Sequence, residues 1–160
     1  MFLGHPLYAV AVVLAGFLVF AGIGSAIAPL LDRWVGGGAR PITMAGAAIA
    51  ALATAYLVAL PPLFEALMGW SVPGKIIVTL ALIAPLAVLM GMPFPLGIVR
   101  VARDGGSLVP WAWGINGCAS VVAAILATLL AIHFGFTAVV LIAIALYLAA
   151  PLAFASCRSP

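Results

Sequence analysis

The sequence predicts an all-α integral membrane protein, a bundle of about five transmembrane helices forming one domain over residues 1–160. Three observations carry this expectation. Apolar residues make up 68% of the chain and charged residues only 6%, whereas water-soluble domains are about half apolar and about a quarter charged. Mean hydropathy is +1.40. Residues 1–31, 41–64, 76–99 and 105–157 contain no Asp, Glu, Lys or Arg at all.

A helix needs about 20 apolar residues to cross the hydrocarbon. The first stretch therefore predicts a span near 6–31, the second near 41–60 and the third near 75–99. The fourth is long enough for two, near 109–132 and 136–156, divided by His133-Phe134-Gly135-Phe136-Thr137 with glycine at the centre. Runs rich in Ala and Leu lack the alternation of a barrel strand.

The cations set the orientation. Arg33 and Arg40 fall in the first loop, Arg100 and Arg103 in the third, and Arg158 in the tail, while the second loop has only Lys75. With an odd number of spans, five of the six cations lie on one side, which the positive-inside rule makes cytoplasmic. The amino terminus is then outside and the carboxyl terminus inside. Trp34, Trp111 and Trp113 mark the inner boundary, and Tyr8 and Trp70 the outer one. An outside amino terminus without a basic flank is not a cleavable signal peptide, and it suits a segment with further spans upstream. A net charge of +3 is too small and scattered for a nucleic-acid surface.

Helices in lipid associate through close contact at small residues, because the bilayer is as apolar as leucine. Ala119, Ala123, Ala127 and Ala131 form such a strip on the fourth span, with Ser120, Ala124 and Thr128 beside it. Gly46, Ala50 and Thr54 do so on the second. On the first, Ala21 and Ser25 lie next to Gly24 and Ala28. These strips serve either ordinary bundle packing or docking of other membrane subunits or of helices from a longer parent chain.

The third span breaks its own pattern at "MGMPFPLGI", where Gly91, Pro93, Pro95 and Gly97 cluster. Pro93 and Pro95 cannot donate to the carbonyls of Leu89 and Gly91, and an unpaired carbonyl in hydrocarbon costs several kcal/mol. Asn116 lies at matching depth on the next, antiparallel span. The expectation is a helix broken at Pro93/Pro95 and repaired by the Asn116 carboxamide together with Ser120, with Gly114 and Gly117 permitting close approach. The alternative is that the break exposes carbonyls to a solute, as discontinuous transporter helices do. Against that, no ionisable residue lies in the middle of any span.

His5 and His133 fall at outer helix ends near the loop carrying Glu65 and Lys75. A His5/His133/Glu65 cluster could hold a metal, and a single histidine could ligate a haem or chlorin. An interfacial side chain bonding a helix end or water is the simpler account, because no ligand spacing is present. Cys118 and Cys157 likewise lack ligand spacing and suggest no disulfide. No metal and no cofactor is expected.

The stretch "APLLDRWVGGGAR" resembles the cytoplasmic Gly-x-Leu-x-Asp-Arg-x-Gly-Arg loop of the major facilitator superfamily at Leu30, Asp32 and Arg33. Ala28 replaces the first glycine, and Val35 and Gly36 replace the later Gly-Arg. A resemblance over most of the chain is carried by "FLGHPLYAVAVVL", "GIGS", "MGMPFPLGI" and "VPWAWGINGCASVVAAILATLLAIHFGF". In this order they look like the membrane-embedded carboxyl-terminal region of bacterial spermidine synthase-like proteins, which fuse facilitator-like helices to a soluble aminopropyltransferase-type domain. The resemblance implies a multi-pass protein of the bacterial inner membrane. The catalytic residues of such proteins belong to the soluble domain, and this chain has no glycine-rich strand–helix turn to host one.

Three function classes follow. The first is a non-catalytic membrane anchor or assembly subunit, in contact with lipid and partnered by other subunits or a polyamine-synthase-like enzyme. The second is a facilitator-like transport element for a small solute. The third, an enzyme in its own right, is disfavoured because paired acids, bases and nucleophiles are missing.

Overall fold

The computed structural model describes residues 6–103 and 107–156. The described residues are helical or in short turns, with no strand among them. The helices are α1 (Pro6–Val35), α2 (Arg40–Ala66), α3 (Val72–Met90), α4 (Pro93–Arg103), α5 (Val109–Phe134) and α6 (Phe136–Ser156). Among the described residues, four segments are long and apolar enough to cross a membrane: Ala9–Val35, Arg40–Ala66, Val72–Arg103 and Val109–Phe134. Phe136–Leu152 is a shorter apolar helix. Apolar residues cover the outside, Leu18, Val58, Ile77 and Leu146 among them, and no polar side chain is buried among the described residues. That distribution suits a multi-pass bundle whose solvent is lipid.

Proline and glycine set the helix ends. Proline occupies the first turn of α2, α3 and α5 and the first residue of α4, positions where its missing N–H costs nothing. α1 runs four residues beyond its expected end at 31, straight through Pro29, Asp32 and Arg33. Charge does not stop a helix; Gly36, Gly37 and Gly38 do, each with positive φ, and the Gly37 N–H closes on the Asp32 carbonyl at 2.9 Å. α2 likewise continues past 60, through Pro61 and Pro62 to Ala66.

α1 packs chiefly on α3, α2 on α6, and α5 on α6. The α1–α3 seam is reciprocal: Gly24 meets the backbone of Val88, and Gly91 meets the backbone of Ala21. Gly46 makes the equivalent approach of α2 to the Tyr147 carbonyl of α6. Ala28, Ile42, Ala45, Met92 and Leu96 form the core where α1, α2 and α4 meet, backed by Ile27, Leu31, Val88 and Leu89.

A polar tie joins α2 to α3 within the spans. The Tyr56 hydroxyl of α2 donates to the Leu82 carbonyl of α3 at 2.6 Å, beside Ala81, whose own helical donor is lost to Pro85. In lipid a phenol has no water to turn to. Tyr56→Phe is expected to cost about 1 kcal/mol, read as a lower unfolding midpoint in detergent. An unchanged midpoint would mean that the bond contributes nothing.

Candidate functional site

The region singled out by the sequence comprises residues 90–97 and 111–120. α3 ends at Met90 and α4 begins at Pro93, with Gly91 and Met92 between them. The hydrogen-bond ladder tightens there: the Gly91 N–H donates to Ala87 at 3.0 Å and the Met92 N–H to Leu89 at 3.2 Å. The Leu89 carbonyl, expected to turn to Asn116, is thus satisfied by its own chain. A shortened turn supplies a donor three residues on where Pro93 withholds one four residues on. Pro93 and Pro95 are half-buried, and Leu96 and Gly97 are buried. Gly91 serves chiefly the close approach to Ala21, since its φ of −72° is open to any residue.

Asn116 does not join this turn. It is exposed, and no hydrogen bond links its carboxamide to residues 89–97. Its backbone carbonyl accepts the Ser120 hydroxyl at 2.7 Å within α5 itself. Gly114 and Gly117 are exposed with nothing within 4 Å of an added Cβ, so they bring no helix close in this chain. What joins α4 to α5 is aromatic: Phe94 and Trp113 meet edge to face at 4.8 Å. Depth along an axis was legible in sequence, but rotation about it was not.

α5 is unusual in its surroundings. It spans 26 residues and buries none of them. At roughly 100° per residue, Asn116 shares a face with Ala112, Ala127 and Leu130, all half-buried. That face carries the half-buried residues of α5, yet Asn116 itself remains exposed. Of the small-residue strip, Ala119 and Ala123 are exposed while Ala127 and Ala131 are half-buried. On α2, Gly46 and Ala50 are buried; Thr54 is exposed and bonds back to the Ala50 carbonyl at 2.8 Å. An open apolar groove of about 640 Å³ runs along another side of α5, past Trp111, Ile115, Cys118 and Val122. It carries no acid, base or nucleophile besides the single thiol of Cys118.

The remaining candidates are dispersed. His5 and Cys157 lie outside the described residues. His133 is exposed, with Nδ1 2.9 Å from the Leu129 carbonyl of its own helix, and Glu65 is exposed near the end of α2. Among the described residues, no three His, Cys, Asp or Glu side chains come together as a metal site.

At the opposite end of the bundle, Arg103 closing α4 pairs with Asp32 of α1 at 3.3 Å. The pair ties two helix ends that sequence distance hid. Because Arg103 is 63% exposed, it contributes at most about 1 kcal/mol. At the other boundary, Lys75 donates to the Met68 carbonyl at 2.8 Å just beyond the end of α2.

No family model, curated protein or solved structure matches the chain.

Proposed function

We propose that the chain is a non-catalytic multi-pass membrane module, an anchor or assembly subunit, whose α5 is completed by helices of another subunit or of a longer parent chain. One observation carries this reading. A mostly apolar helix of 26 residues buries none of them and leaves the Asn116 carboxamide without a hydrogen bond among the described residues, about 8 Å beyond Trp111 along the axis. Lipid covers alanine and leucine at no cost, but it offers a carboxamide nothing. Gly114 and Gly117 lie on other sides of α5 than Asn116, so one neighbouring helix supplies the contact the glycines permit and another, on the Asn116 side, a partner for the amide.

In this reading the amino terminus is outside and the carboxyl terminus cytoplasmic, which places Arg33, Arg40, Arg100 and Arg103 on the inner face. The break at Pro93/Pro95 is structural, and its tight turn seats Gly91 against α1. The resemblance to spermidine synthase-like membrane regions supports a bacterial inner-membrane location and an aminopropyltransferase-like partner.

Native mass spectrometry of the protein solubilised from its own host tests the proposal. The expected result is a defined complex heavier than the 16.2 kDa chain. A lone chain that carries a solute across liposomes would overturn it in favour of a transport element.

A further inference from the structure

The arginines at one end of the bundle outnumber their described acids. Arg33 stands in the last turn of α1 and Arg40 opens α2. Arg100 and Arg103 fall in the last turn of α4, and the Asp32–Arg103 pair fixes that turn against the end of α1. Asp32 is the sole described acid of this group and is already committed to Arg103. Arg33 and Arg40 are both exposed, and neither forms an ion pair with a described carboxylate. At the far end the described charges, Glu65 and Lys75, balance.

We propose that Arg33 and Arg40, flanking the α1–α2 turn, hold the phosphate of an anionic phospholipid headgroup. The turn between them is short and defined: Gly36, Gly37 and Gly38 all take positive φ, and the Gly37 N–H is tied to Asp32. Arg33 and Arg40 therefore flank the same tight corner of the backbone. Guanidinium forks match phosphate oxygens in pairs, which ammonium groups do not. The corner sits where the long apolar run of α1 ends, and Trp34, 88% exposed, marks that level. Cations at this depth attract anionic lipid at close range. The site serves whichever side of the bilayer this end faces.

The test uses the full chain in nanodiscs of equal parts phosphatidylglycerol and phosphatidylcholine, with retained lipid read by native mass spectrometry. Wild type is expected to retain phosphatidylglycerol in excess, and each of Arg33→Gln and Arg40→Gln to lower that excess about fivefold. Lys75→Gln, at the other end, should leave it unchanged. Arg33→Lys with Arg40→Lys should restore only part of it. Equal loss in Lys75→Gln, or retained excess in the double glutamine variant, overturns the proposal. So does complete displacement of the lipid by inorganic phosphate, which would make a free anion the ligand. Should the glutamine variants fail to fold, wild type alone decides: the excess must fall as salt rises, and persistence at high salt overturns the proposal.

Discussion

Gly24→Ala and Gly91→Ala will each open the seam between α1 and α3, lowering stability by about 3 kcal/mol. Both glycines are helical in conformation and neither needs positive φ, so the effect is one of space alone. An added Cβ at Gly24 would fall on the Val88 carbonyl, and one at Gly91 on the Ala21 carbonyl, both far inside van der Waals contact. These obstacles are backbone atoms and cannot rotate away. Gly16 differs, because its obstacle is the Leu80 side chain at 2.6 Å, which can change rotamer; alanine there should cost less. Gly22 has nothing within 4 Å, so Gly22→Ala should gain up to about 1 kcal/mol from helix propensity. The Gly24 and Gly91 effects should not add, since one separation of α1 from α3 relieves both clashes. Unfolding midpoints in detergent for the four single variants and the Gly24/Gly91 double variant check the series. A Gly24→Ala protein as stable as wild type would refute the seam.

The same seam shows what the sequence could and could not say. Small residues at four-residue spacing marked Ala21, Gly24, Ser25 and Ala28 on α1. In the bundle Gly24 and Ala28 are buried and Ser25 is exposed, because spacing defines two adjacent rows and only the partner helix selects one. Span positions were legible because charge is costly in hydrocarbon, so its absence outlines the helices. Helix ends were less so: α1 stops at three glycines rather than at Asp32, and α2 ignores Pro61 and Pro62. The candidate site was legible as a place but not as a set of contacts. Leu89 is served by Met92, a local remedy that pairing Asn116 with Pro93 by depth overlooked. Tyr56 left a readable signal, a lone phenol amid an apolar span that must find an acceptor, yet its partner Leu82 depended on rotation. Asp32–Arg103 needed the parallel course of α1 and α4, which follows once the spans alternate.

Leucine at Asn116, and alanine at Gly114 and Gly117, should move stability and assembly in opposite directions. Within the single chain these changes are favourable. Asn116→Leu removes an unbonded carboxamide from hydrocarbon, and the two alanines gain helix propensity at positions with open space around them. The unfolding midpoint of the isolated chain should therefore rise. If other helices dock on α5, the Asn116 change removes a hydrogen-bond partner on one side, and the two alanines fill the space needed on another. The fraction of chain in the native complex should then fall, by about tenfold for a loss of about 1–2 kcal/mol. Ala124→Gly is a useful contrast, because it weakens α5 by propensity without adding bulk. A face designed only for lipid has no reason to produce this opposition: stability and assembly would rise together, or assembly would not respond. The sign of the second change, measured on protein whose first change is positive, separates a helix that meets only lipid from one that awaits a partner.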